Sequence, residues 1–234
     1  MRKILILDIE TRPATAYVWR AYDENVGVEQ IIDGGGMICF AAKWEGEKEV
    51  EFYSTWTHSH HEMIANAHRL LSEADAVVTF NGDKFDLPKL QGEFILDGMG
   101  PTPPVASIDL IKTVRKFGFF MNRLAFIGPL LRVGQKVKHE GFQLWANVMN
   151  GDPVAQAKMQ KYNIQDVVLT EKLYKKVRPF IRNHPQLRAG DVCPACTSDK
   201  TQKRGWRYTR FFRIQRNQCQ SCAHWFETTR QKIK

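Results

Sequence analysis

A mixed α/β sheet flanked by helices, followed by a small metal-stapled module, is the architecture this sequence predicts. Three observations carry it. Apolar runs occur in the order of three strands, then alternating helix and strand, then helices. Ala155, Met159, Tyr162, Leu169 and Leu173 recur at helical spacing. Four of the five cysteines sit in two CxxC pairs near the C-terminus. The 234 residues, 43% hydrophobic and 25% charged, suffice for one sizeable core plus an appendage.

Residues 3–8 (KILILD) read as a continuous apolar strand, buried on both faces. Residues 37–44 and 48–53 read as the next two strands, joined at EGE by a hairpin turn. Asp33 and the three glycines after it lack phosphate-loop spacing and read as a flexible loop. Met63, Ile64, Ala67, Leu70 and Leu71 share one face of a helix over 60–73. A strand follows at 76–80. The next helix begins after Asp86, where Pro88 is welcome in a first turn, and runs to about Leu96. A short strand at 105–108 precedes helices over 109–117, 122–131, 140–149 and 153–178. The division expected is residues 1–181, a linker over 182–190 containing Pro185, and a second unit over 191–234.

No run approaches the roughly 20 apolar residues that span a bilayer. The start, MRKILILDIET, has no small-residue cleavage site, and Asp8 and Glu10 follow too soon for a signal peptide. A cytoplasmic protein with no membrane partner is the expectation. The net charge of +9 is uneven. Residues 191–234 hold ten Lys and Arg against three acids, whereas residues 1–190 hold 24 against 22. A compact basic tail with interleaved aromatics favours contact with nucleic acid over a merely solvated surface.

Four acids fall beside apolar stretches where lone carboxylates are expensive: Asp8 and Glu10 in LILDIET, Asp86 in FNGDKFDLP, and Asp166 in YNIQD. On a strand, residues two apart share a face, so Asp8 and Glu10 aim together near the strand's C-terminal end. On a helix, residues four apart share a face, which joins Tyr162 to Asp166. Taken singly, each motif has a plain structural reading: a solvated pair, a helix cap at Asp86, a core tyrosine beside a surface acid. Together they suit a site of hard oxygen ligands for magnesium or manganese and the chemistry of phosphodiester cleavage.

The ordered set LILDIET, FNGDKFDLP and YNIQD resembles the three exonuclease motifs of the DEDD superfamily. Tyr162 marks the tyrosine subclass. The second and third motifs are most similar to the 3′–5′ proofreading domains of family B DNA polymerases and their free-standing relatives. The resemblance spans roughly residues 3–178, with 11–75 matching only in general pattern. It implies a ribonuclease H-like fold and a 3′–5′ exonuclease on DNA working with two Mg²⁺ or Mn²⁺ ions. Asp8 would bridge the ions, Glu10 and Asp166 would complete the one that activates water, and Asp86 would serve the second through its water shell. Tyr162 would hydrogen-bond the attacking water or the scissile phosphate. Asn81 would contact substrate or a metal-bound water, or else serve as the turn residue of FNGD. Asp83 reads as a loop acid and Asp109 as a helix cap. Replication or repair proteins are candidate partners. Unlike those relatives, this chain carries a basic C-terminal module and no polymerase domain. A structure-selective endonuclease on branched DNA and a catalytically silent binding module therefore stand as alternatives.

Cys193 and Cys196, then Cys219 and Cys222, are separated by 22 residues. Paired CxxC knuckles hold four thiolates around one structural zinc ion. In a chain read as intracellular, two disulfides are the weaker reading. His224 is a substitute ligand that four cysteines make unnecessary, and Cys39, in an apolar strand, belongs to the core. Between the knuckles, a zinc-ribbon hairpin would bring Arg204, Arg207, Arg210, Arg213 and Arg216 to a phosphate backbone. Trp206 and Tyr208, with Phe211 and Phe212, would stack on bases or fill the ribbon's small core. His58, His60 and His61 read as a helix N-terminus on the surface.

Overall fold

The computed structural model describes residues 3–22, 25–187 and 190–233. In chain order the elements begin with β1 (Ile4–Arg12), β2 (Thr15–Ala16), β3 (Ile31–Asp33), β4 (Gly36–Trp44) and β5 (Glu51–Ser54). Then come α1 (His60–Glu73), β6 (Ala76–Thr79), α2 (Asp86–Leu96) and β7 (Ala106–Asp109). Four helices follow: α3 (Leu110–Val114), α4 (Leu124–Leu130), α5 (Phe142–Met149) and α6 (Pro153–Val177). The chain closes with β8 (Thr201–Tyr208), β9 (Phe212–Cys219) and β10 (Trp225–Lys232).

Five strands make one sheet in the order β5-β4-β1-β6-β7. β1 runs antiparallel to β4 and parallel to β6, so the sheet is mixed, as expected. Strand alternation sorts β1 between two cores. Leu5, Leu7 and Ile9 pack with Met63, Ile64, Leu70 and Leu90 of α1 and α2. Ile4 and Ile6 pack with Val167, Leu169 and Leu173 of α6. Each fully buried Leu or Ile here stabilises the fold by about 1.5–3 kcal/mol, which explains the unbroken apolar run of β1.

Ser59 caps α1 by accepting from the Glu62 N–H, and the Glu62 carboxylate returns a bond to the Ser59 N–H. The histidines of this helix start sit at the surface: His60 pairs with Glu93 at 3.1 Å and His61 with Asp97 at 2.7 Å. Asp109 caps α3 through the Ile111 N–H, as expected. It also accepts from the Asn81 N–H at 2.7 Å. Asn81 itself adopts φ of 75°, the left-handed turn conformation that asparagine tolerates. Cys39 is fully buried in the core.

Several expectations need correction. β4 and β5 form the expected antiparallel hairpin with its turn at EGE, but β5 begins only at Glu51, not at residue 48. Asp33 lies in β3, and the stretch between β1 and β4 forms a small β2–β3 hairpin where only a loop was expected. The C-terminal unit is a three-stranded sheet, β10-β9-β8, and not a single hairpin. Its buried core is Cys193, Ala195, Cys219 and Phe226. Tyr208 and Phe211 are more than half exposed and contribute nothing to that core. Residues 188 and 189 of the expected linker lie outside the described residues. Among the described residues, no helix is long and apolar enough to cross a membrane.

Candidate metal centre and cysteine knuckles

The α6-facing stripe of β1 reads Ile4, Ile6, Asp8, Glu10. Two apolar residues seal the core and the next two, at the same spacing, are only partly buried. The β1–β4 register shifts between Glu10 and Thr11. A bulge at that point kinks the strand and re-aims the side chains beside it. On α6 the inward stripe is Tyr162, Asp166, Leu169, Leu173, and its polar start lies over the acidic end of β1. Asp8, Glu10 and Asp166 each offer a carboxylate oxygen, and these atoms lie within 4.8 Å of one another. Asp86 is not part of that triplet. It opens α2, and its Oδ1 accepts the Ile9 N–H of β1 at 3.1 Å, which brings it to the backbone between the two acids.

Two partners of this cluster escaped the sequence reading. Lys136, in the α4–α5 loop, places its Nζ 2.6 Å from Asp166 Oδ2 and 2.7 Å from the Tyr162 hydroxyl. Asn163 donates from Nδ2 to both the carboxylate and the main-chain carbonyl of Asp8, at 2.7 and 3.1 Å. Nothing in the spacing of GQKVKHEG marks Lys136. Asn163 did carry a signal. It lies three residues before Asp166 on a helix, and a buried amide needs partners. Tyr162 is further enclosed by His139, whose ring stands edge-on at 5.0 Å.

Electrostatics follow from this crowding. Burial, then the charges of Asp86, Glu10 and Asp166, hold the Asp8 carboxyl well above the usual carboxylate range. Burial and Asp166 push Glu10 up to about 8. Burial raises Asp86 to about 7 against the opposing Ile9 N–H bond. Asp166 is also raised, because its burial outweighs the Lys136 ammonium. For Lys136 itself, burial opposes the charge, yet Asp166 and Tyr162 overcome it and lift the ammonium's pKa. Four acids thus face one ammonium, and Asp166 Oδ1 is buried with no hydrogen-bond partner. A hard divalent cation fits this all-oxygen set: it supplies the missing charge and a partner for the orphaned oxygen.

The sign of the resulting pH dependence is fixed. Glu10 has an ordinary pKa of 4.5 and a folded value of about 8, so folding without metal takes up a proton in that window. Below pH 4.5 no penalty exists; it grows as pH rises and is complete above 8. The melting temperature of chain freed of magnesium and manganese should fall as pH is raised from 5 to 8, and added Mn²⁺ should raise it and flatten the slope. Differential scanning calorimetry checks this. A flat profile without metal, or the same slope in Glu10→Gln, would contradict it.

The four cysteine sulfurs also lie within 4.8 Å of one another. Cys193 and Cys222 are 3.7 Å apart, and Cys196 and Cys219 are 3.6 Å apart. A disulfide requires about 2.05 Å. Tetrahedral zinc with bonds of about 2.3 Å sets its sulfurs about 3.8 Å apart, which these distances fit. The two knuckles are built alike. Thr197 and Ala223, each four residues after the first cysteine of its pair, take φ of 61° and 62°. Each donates its N–H to that cysteine's carbonyl, at 2.8 and 3.0 Å. His224 faces away from the role of substitute ligand: its Nδ1 donates to the Pro179 carbonyl at 2.9 Å, tying the knuckle to the segment after α6.

The chain belongs to the RNase H superfamily, whose family model matches residues 29–178. That match starts beyond β1, so the placement of Asp8 and Glu10 rests on the geometry above. Among solved structures, the chain is similar to the family B DNA polymerase of the hyperthermophilic archaeon Pyrobaculum calidifontis, with a TM-score of 0.57 and 17% identity. The likeness covers 76% of this chain and 25% of the polymerase chain, so the two share a fold, and this chain spans about a quarter of that protein. No curated protein matches the chain. The fold is a ribonuclease H-like nuclease fold, with a cysteine cluster consistent with a small zinc ribbon.

Proposed function

We propose that the chain is a divalent-metal-dependent nuclease, acting as a 3′–5′ exonuclease on DNA. The observation that carries this reading is the convergence of Asp8, Glu10 and Asp166 at the end of β1, with Tyr162 one helical turn before Asp166. The shared fold with a DNA polymerase supports DNA as the substrate. Asp8, Glu10 and Asp166 would hold the metal, with Asp86 at the strand backbone beside them. When bound, Mg²⁺ or Mn²⁺ ions supply charge for the scissile phosphate and lower the pKa of a nucleophilic water. Asn163 fixes the Asp8 carboxylate through its two bonds. Lys136 holds the Tyr162 hydroxyl and Asp166 in one arrangement, so the tyrosine meets substrate pre-oriented. Burial of the acids excludes bulk water and strengthens each electrostatic interaction in the site. Asn81 serves the turn that carries Asp86 to this site.

End-labelled single strands, duplexes and four-way junctions incubated with Mg²⁺ or Mn²⁺ test the reading. A product ladder shortening from the 3′ end is the expected result. Discrete cuts at the branch would favour the endonuclease, and binding without cleavage in either metal would leave only a binding module.

A further inference from the structure

The strand register of the ribbon sorts its cations onto two unlike faces. Residues directly opposite on neighbouring strands point the same way, as do residues two apart on one strand. Ile214 at the centre of β9 is flanked by Arg207 of β8 and Arg230 of β10. Two residues on, Arg216 faces Glu227; two residues back, Phe212 faces Lys232. One face therefore gathers Arg207, Arg216, Arg230 and Lys232, joined by Arg204 through its bond to Gln218, against the single acid Glu227. The other carries Trp206, Tyr208 and Arg213, with Lys203 paired to Asn217 farther along.

We propose that this first face, spanning all three strands, grips the phosphodiester backbone of a nucleic-acid strand; it rests on the nuclease reading above. Two of its guanidinium groups are held in place in advance. Arg230 lies 3.7 Å above the centre of the Phe212 ring. Arg207 binds both oxygens of Glu227, at 2.5 and 3.0 Å. Only 8% of Ile214 is exposed beneath them. Arginines fixed flat against a ring or a carboxylate lose little side-chain freedom on meeting a phosphate. Arg216 and Lys232 are exposed beside them and, with Arg204, complete an excess of four positive charges. Because Arg230 covers one side of the Phe212 ring, that side gives bases no surface for stacking. The face recognises backbone charge without regard to sequence. Arg230 and Lys232 stand outside the arginine run between the knuckles; only the pairing of β10 with β9 brings them to this face.

Fluorescence anisotropy tests this with the full-length, zinc-loaded chain and labelled single-stranded and duplex oligonucleotides, without magnesium or manganese, across a salt series. R216Q/K232Q removes two charges from the proposed face and leaves the Arg230–Phe212 stack and the Arg207–Glu227 pair intact. K203Q/R213Q removes the same charge from the opposite face. The first pair should weaken binding about tenfold or more at low salt. It should reduce the slope of log K against log salt by about 1.4 on single strands or about 1.8 on duplex, while the second pair changes little. Equal losses from both pairs, no loss from R216Q/K232Q, or a marked preference between base compositions would overturn the proposed face. An intact chain that cleaves but does not respond to R216Q/K232Q sinks this inference alone. A chain that neither binds nor cleaves removes the nuclease reading with it.

Discussion

On the proposed nuclease reading, Asp8→Ala should eliminate measurable cleavage, a fall in kcat of about 10³-fold or more, while affinity for the nucleic acid in the absence of metal should stay near that of the parent chain. Asp8 is the acid the site invests in most. Its carboxylate and carbonyl are both held by Asn163, and Asp86, Glu10 and Asp166 all bear on its charge. On that reading, loss of this carboxylate would leave a bound metal with too few ligands. Stability should move the other way. Burial and like charge hold the Asp8 carboxyl far above its ordinary range, so an uncharged side chain relieves repulsion and should raise the melting temperature of the metal-free protein. A misfolded variant would lose both activity and melting temperature, so the opposed signs separate catalysis from structure. Single-turnover assays with Mn²⁺, paired with calorimetry, give both readouts. Retained turnover would remove Asp8 from the mechanism.

Much of this arrangement was written in local pattern. β1 declared itself because a strand buried on both faces must be apolar throughout, and the break in that run at Asp8 and Glu10 marked where the acidic site begins. α6 announced its inward face through 3.6-residue periodicity, and the knuckles through cysteine spacing. What stayed hidden depends on tertiary placement. Lys136 sits in a loop whose path is set by the packing of α4 and α5, so no spacing rule connects it to Asp166, 30 residues on. The β2–β3 hairpin is short, and its strands carry little alternation to read. β10 has the sequence WFETTRQK, polar on nearly every position, because the ribbon has almost no core for it to cover. With Phe226 its one buried apolar residue, β10 lacks the alternation by which strands are recognised. For the same reason the sequence placed the ribbon's arginines in one run, and only the register separated them by face.

The ribbon's lack of a core leads to the second large effect. Its buried apolar residues besides cysteine are few: Ala195, Ile214 and Phe226. Burial of that size is too little to order a unit of this length on its own. On the zinc reading, the metal supplies much of the missing folding energy. Cys219→Ser should therefore unfold residues 191–234 and leave the five-stranded sheet standing. Cys219 is the test position because its thiol is held low. Burial raises its thiol, but N–H groups of Cys222 and Ser221 and the neighbouring sulfurs bring it down to about 7, and the Ser221 N–H lies 3.3 Å from its sulfur. Hydrogen exchange read by mass spectrometry should show protection lost across β8, β9 and β10 and kept across β1, β4 and β6, with bound zinc falling from one equivalent to below detection. Chelation of zinc from the parent chain should reproduce the same map. Protection retained in β9 after complete zinc removal would mean that the strands fold without the metal, and the four sulfurs, though rightly spaced, would then be incidental to the ribbon's stability.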